Sequence, residues 1–307
     1  MSSSKLLRLL VVAALVAACR PDTRQRDDGD GSVDEDSGWP PRDSGPDNDG
    51  GQGDTGTSSN CVEEARWVYV VGSGNNFLRF YPDELRFESI GTLSCPSGGN
   101  TPFSMSVDRN ALAWVLHQDG RMYHVSTTDA SCEATDFAPN QEGLELFGMG
   151  FATLSEGSED ETLFIAGGAE ASIASGSSTL GSIDTGTLAV STIGTIPGWP
   201  ELTGNGRGEL WGFFPDTSPP SVRQIDKESG DTIQTFDLQP LQGITPSAWA
   251  FAFWGGRFYI FLQRAMDLST HVWRLDPDTG DVEDVLPNTG YRIVGAGVST
   301  CAPVELY

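Results

Sequence analysis

Five short apolar runs recur along the chain: WVYVV at 67–71, LAWVL at 112–116, LFIAG at 163–167, LWGFF at 210–214 and FYIFL at 258–262. Their starts lie 45, 51, 47 and 48 residues apart. That interval suits one four-stranded antiparallel sheet with tight turns, the unit of a propeller blade. Ahead of three of the runs, bulky and small residues alternate: FSMSV at 103–107, FGMGF at 147–151 and WAFAF at 249–253. A period of two predicts a strand, with all the small residues on one face. Blades converge at a propeller axis, so the innermost strand of each needs one slim face. The first blade's copy of this pattern stands at the far end of the chain, as VGAGV at 294–298. The C-terminus is therefore predicted to supply the innermost strand of the blade that begins at Trp67. Third strands follow at 77–81, 121–125, 180–184, 221–226 and 271–276. The pattern predicts an all-β, five-bladed β-propeller over residues 61–303, closed by the C-terminal strand. A closed ring exposes no strand edge to another molecule, so a monomer is expected.

Three of the third strands end in related turns: Ile183-Asp184-Thr185-Gly186, Ile225-Asp226 with Ser229-Gly230, and Leu275-Asp276 with Thr279-Gly280. Short polar side chains and Gly are turn chemistry. These turns resemble the Leu/Ile-Asp-x-x-Thr-Gly hairpins of quinoprotein-like and lactonase-like β-propellers of bacterial surfaces and periplasms. The resemblance implies the fold of residues 61–303 and no particular activity, because propellers host many unrelated ones.

The N-terminus gives an address. Lys5 and Arg8 precede or open an apolar run ending at Ala18. The ten residues from Leu9 span roughly 15 Å as a helix, about half a bilayer core, which predicts a cleaved signal at 1–18 and no spanning segment. Val16-Ala17-Ala18-Cys19 resembles the lipobox of bacterial lipoproteins, which implies lipid on Cys19. Several acyl chains would then hold the protein to a membrane in the cell envelope. In that family an Asp after the Cys retains proteins at the inner membrane; Arg20 stands there, which implies the outer membrane. Residues 19–60 hold many Asp and Gly with Val33 and Trp39 as the sizeable apolar side chains. Such a stretch cannot offset its chain entropy by burial and is expected to be a disordered tether. Its Asp28-Gly29-Asp30-Gly31 run fails as a calcium loop, since Val33 and Trp39 occupy the positions that need Gly and Glu.

Charge and cysteines narrow the picture further. Eighteen Lys and Arg against 43 Asp and Glu leave a net charge of −25, which excludes nucleic acid as a partner. With Cys19 lipidated, Cys61, Cys95, Cys132 and Cys301 remain, an even number for an oxidising compartment. Cys61 precedes the second strand of blade one and Cys301 follows its innermost strand, so these two are predicted to pair, and Cys95 with Cys132 by elimination. No Cys-x-x-Cys or neighbouring His pair calls for a metal, and no motif calls for a cofactor.

The candidate chemistry lies on one face. Blade-to-blade connections and the links between second and third strands share it, including Gly168 to Thr179, Pro215 to Pro220 and Arg264 to Thr270. An aromatic precedes or opens each innermost strand there: Phe103, Phe147, Trp199, Trp249 and Tyr291. They are candidate ligand-binding platforms, of the kind propeller lectins use, or wedges between blades. In WPELT at 199–203, Glu201 replaces the small residue of its sisters; Asp108 ends the innermost segment of blade two. Five-bladed glycosidases use carboxylates in a central funnel, so Glu201 and Asp108 are the catalytic candidates; the alternative is a structural role for each, with Arg207 and Arg109 close in sequence as partners. No Gly-x-Ser-x-Gly elbow occurs, and His117, His124 and His271 fall in or beside strands. The expectation is a binding or interaction module for a protein or glycan. The alternatives are a carbohydrate-active enzyme or lectin and a structural envelope scaffold.

Overall fold

The structure is a computed structural model that describes residues 61–170 and 176–306. The expected signal peptide, Cys19 and the tether lie outside the described residues, as does the middle of the Gly168 to Thr179 loop. Each apolar run becomes a buried strand between two others. In blade one these are β1 (Val68–Gly72), β2 (Asn76–Tyr81) and β3 (Arg86–Thr92). Blade two holds β4 (Pro102–Val107), β5 (Leu112–His117), β6 (Met122–Ser126) and β7 (Cys132–Ala134). Blade three holds β8 (Leu146–Thr153), β9 (Glu161–Gly168), β10 (Ser177–Ile183) and β11 (Val190–Pro197). Blade four holds β12 (Glu201–Gly204), β13 (Leu210–Phe214), β14 (Ser221–Ile225) and β15 (Thr232–Asp237). Blade five holds β16 (Pro246–Trp254), β17 (Arg257–Arg264), β18 (His271–Leu275) and β19 (Val282–Leu286). The last strand, β20 (Ile293–Val298), runs antiparallel to β1, with Val68 opposite Val298 and Val70 opposite Ala296. The result is five four-stranded sheets, the first ordered β20-β1-β2-β3. This is the predicted five-bladed propeller with the predicted closure.

Aromatic wedges fill the seams between blades. Phe80 of blade one meets the rings of Tyr259 and Phe261 of blade five edge-on at 5.6 and 5.4 Å. Trp211 of blade four lies 4.8 Å from Phe258, and Trp114 of blade two 6.1 Å from Phe151. Burying such a side chain stabilises by about 1.5–3 kcal/mol, and edge-on geometry adds about 0.5–1.5 kcal/mol.

At the axis the constraint is crowding. A Cβ on Gly148 would sit 2.4 Å from the Pro200 carbonyl oxygen, and one on Gly297 2.8 Å from the Ser106 carbonyl carbon. Two hydroxyl-bearing residues of the inner strands serve the next blade. Ser106 Oγ accepts the Phe151 N–H at 3.1 Å, and Thr203 Oγ1 accepts the Phe253 N–H at 3.1 Å. Inner strands have a ladder partner on one edge only, so these hydroxyls satisfy donors that would otherwise be buried unpaired.

Beyond β20 the chain crosses one face of the ring. The Thr300 hydroxyl donates to Glu161 of blade three at 2.6 Å, and Glu161 also accepts the Arg109 N–H of blade two at 2.9 Å. Burial raises the Glu161 pKa, against these hydrogen bonds. Arg207 of blade four pairs with Glu305, and the Gly255 N–H of blade five reaches the Pro303 carbonyl at 2.7 Å. Cys61 and Cys301 are joined on this face, and Cys95 and Cys132 are joined between blades one and two, as predicted. The tail thus ties all five blades together where the chain enters and leaves.

Those bridges differ in the chain they close: 240 residues separate Cys61 and Cys301, and 37 separate Cys95 and Cys132. In the chain-entropy account they stabilise by about 5 and about 4 kcal/mol. Cys61→Ala with Cys301→Ala is expected to lower the melting temperature by about 10–20 °C, and Cys95→Ala with Cys132→Ala by less. Calorimetry on the two double variants measures the order.

Candidate functional site

Strands alternate in direction within a blade, so the starts of all innermost strands share a face with the β5–β6, β9–β10, β13–β14 and β17–β18 loops. This is the face opposite the C-terminal tail. A small cavity of about 140 Å³ opens there at the axis. Phe103 of blade two, Trp199 of blade four and Trp249 of blade five line it, with Glu201 and with Arg292 and Val294 at the start of β20. The starts of the strands place these groups, so their positions follow from the ring rather than from a mobile loop.

Each wall is held by its neighbours. The Trp199 N–H donates to Asp216 Oδ2 at 3.0 Å, which fastens the start of blade four to the Pro-rich β13–β14 loop. Trp199 is buried, while Phe103 and Trp249 are half-buried, and all three line the cavity. Arg292 stands exposed at the rim. Its Nη1 donates to Gln263 Oε1 at 3.1 Å and Ser247 Oγ at 3.2 Å, and its Nη2 donates to the Ser247 carbonyl.

Glu201 forms the floor. It takes the slot its sisters fill with Gly, Ala or Ser, and it fits because Gly148 faces it: a Cβ there would lie 2.9 Å from Glu201 Oε2. Its side chain reaches across the axis, where Oε1 accepts the Ser104 hydroxyl. Burial pushes the carboxyl well above the ordinary carboxylate range; the Ser104 hydroxyl and the Met149 N–H offset this in part. No cationic side chain pairs with it among the described residues. Arg207, its sequence neighbour, points to the other face and Glu305.

The other sequence candidates separate. Phe147 is fully buried and packs against Phe137 at 6.1 Å, so it is a seam wedge. Tyr291 lies beside Phe87 of the outer strand β3 at 6.3 Å, away from the axis. Asp108 stands at the far end of β4, one strand length from Glu201. There its Oδ1 accepts the Asn110 and Leu112 N–H groups at 2.9 and 3.0 Å, and its Oδ2 accepts the Trp114 indole at 3.3 Å. That is turn chemistry, and it leaves Glu201 without a second carboxylate among the described lining residues. None of the histidines lines the cavity: His117 bonds the Asn100 carbonyl at 2.9 Å, His124 meets Trp114 edge-on at 4.2 Å, and His271 bonds Asp284 at 2.7 Å. Burial lowers the pKa of His117 and of His124. Sequence reasoning missed Arg292, Gln118 and Asp216, which carry no motif.

A larger hollow of about 1000 Å³ lies beside blade five on the tail's face. Its three arginines pair within the protein, as Arg207–Glu305, Arg257–Asp276 and Arg274–Glu283, and the further carboxylates of Asp83, Glu209, Asp278 and Asp281 also line it. In the funnel, by contrast, buried Glu201 has neutral hydrogen-bond donors and no cationic partner among the described residues.

No protein-family model matches the chain, and no curated protein sequence matches it. Among solved structures, it is similar to a chain of a nidogen/laminin complex at 10% identity and a TM-score of 0.47, over 78% of this chain and 99% of that one. It is also similar to TolB from Acinetobacter baumannii at 12% identity and a TM-score of 0.41, over 72% of this chain and 52% of that one. Likeness at this level assigns no activity.

Glu201 makes stability depend on pH. Its carboxyl ionises near the ordinary value when unfolded and only at higher pH when folded. The cost is therefore absent below about pH 4 and grows as the pH rises toward the folded value. Glu201→Gln keeps the shape of the protonated acid and removes the cost. Its melting temperature is expected to match the parent near pH 4 and to exceed it by at least about 2–4 °C at pH 8. Thermal denaturation across that range checks the slope.

Proposed function

We propose that the protein is a lipid-anchored envelope module, held through Cys19 and favouring the outer membrane, whose propeller binds a small ligand or a protruding chemical group in the funnel. The convergence of Phe103, Trp199 and Trp249, from three different blades, on one cavity floored by Glu201 carries the reading. Aromatic walls with a few placed polar groups are the usual make-up of a binding pocket. At about 140 Å³ the cavity is smaller than the roughly 300 Å³ at which drug-sized pockets begin, so it suits a head group or a side chain. The aromatic platforms also support a lectin. Glycoside hydrolysis in its usual form uses a second carboxylate, and Glu201 is the single carboxylate among the described lining residues of this cavity.

The anchor rests on the Val16-Ala17-Ala18-Cys19 motif, and replacing Cys19 by Ser is expected to release the protein from the membrane fraction. For the funnel, a thermal-shift panel of glycans, amines, amino acids and peptides identifies a binder. Trp249→Ala and Phe103→Ala are each expected to weaken it by about tenfold or more. A panel without any binder, or full affinity retained in both variants, overturns the funnel as a binding site.

A further inference from the structure

We infer that the funnel takes a zwitterionic alkylammonium ligand, with the ammonium inward between Phe103, Trp199, Trp249 and Glu201 and the anionic group outward at Arg292. This rests on the funnel being the binding site, and it names the ligand's chemistry. The faces of aromatic rings carry negative potential and attract an organic cation, most strongly where water is excluded. Phe103, Trp199 and Trp249 all line this small cavity, an aromatic lining that suits methyl groups and positive charge. The floor adds what a purely apolar cage lacks. The Glu201 carboxyl is buried, and its hydrogen bonds come from two neutral donors, the Ser104 hydroxyl and the Met149 N–H. A buried carboxyl is stable as an ion only when paired, and an ammonium above it supplies the missing charge.

Arg292 sets the orientation of the ligand. Its guanidinium is held on the rim by Ser247 and Gln263, forms no ion pair with Glu201, and lines the same cavity, where an anion on the same ligand would meet it. A guanidinium carries five N–H donors, so the three bonds it makes leave capacity for a phosphate or carboxylate. The net charge of −25 works in the same direction, repelling simple anions and drawing in cations. The β17–β18 loop beside this rim raises Met266 and Leu268 almost fully into solvent, at 92% and 95% exposure. It is tied to Gln263 through the Asp267 carbonyl at 3.0 Å. A ligand presented on a lipid surface would meet these two apolar tips, and a free ligand would not.

The test uses the full chain with both disulfides intact and phosphocholine as the probe, read by calorimetry and tryptophan fluorescence. Phosphocholine is expected to bind more tightly than choline. The uncharged isostere 3,3-dimethylbutan-1-ol is expected to bind at least about tenfold more weakly than choline. Glu201→Gln is expected to weaken choline by about tenfold or more, and Arg292→Gln to remove the advantage of phosphocholine over choline. Trp249→Ala, at a half-buried wall, gives a second test should Glu201→Gln fold poorly. Vesicles of phosphatidylcholine distinguish the source: a lipid ligand requires Met266 and Leu268, and a soluble one is indifferent to Met266→Ser with Leu268→Ser. Equal binding of the isostere, or binding of a neutral sugar in place of both cations, overturns the ammonium assignment and leaves the funnel as a site. Absence of any binding that Trp249→Ala weakens overturns both.

Discussion

Crowding at the axis is the constraint on which the other features depend. Five strands approach one line, and each must present a surface thin enough to let its neighbours' backbones come close. Gly148, Gly297 and their counterparts meet this by having no side chain to insert. Ser106 and Thr203 meet it with hydroxyls that turn toward the adjacent blade and accept its N–H groups. The same alternation therefore solves a steric problem and a hydrogen-bonding problem. It also locks the register, because a slip of one residue would drive the bulky face of the strand into the axis. Glu201 is the exception. Its carboxyl occupies space that Gly148 and Ser104 leave open, so one blade's excess is accommodated by the deficit of two others.

Closure gives the ring two unlike faces. Pairing of β1 with β20 joins the ends of the fold, the Cys61–Cys301 bridge fixes that join, and the tail then contacts every blade on the same side. The arginines of that side are engaged within the protein itself. The opposite side, with its longer connections, carries the small cavity. A ring of near-equivalent blades thereby acquires direction without any blade having to be specialised for it.

The fold was legible because its signals are periodic and local. Alternation identified the inner strands, the interval between apolar runs identified the blades, and the displaced copy at Val294 to Val298 identified the closure. The cysteine pairs followed from that closure. The site was only half legible. Five aromatics occupy similar positions in the repeat, and sequence alone made them equivalent. In space they are not, because Phe137 covers Phe147 and Phe87 adjoins Tyr291, leaving the other three at the cavity. Glu201 broke the small-residue rule visibly. Asp108 misled because an acid after a strand is also a turn cap, and its neighbours Asn110 and Leu112 supply the N–H groups that make it one. Arg292 was beyond reach, since its placement depends on Ser247 in a different blade.

Rigidity and chemistry converge in the way the cavity is built. Its floor and walls come from strand starts that the whole ring holds in place, so a ligand finds them already ordered and little side-chain freedom is lost on binding. Its rim comes from loops and from Arg292, which the axis does not constrain. A loop change alters what is met at the mouth without disturbing Glu201 or the packing beneath it. A change at Glu201 must instead be answered at Gly148 and Ser104, because those three positions share one small volume. The deep group therefore defines the kind of chemistry the funnel accepts, and the outer groups define which member of that class remains bound.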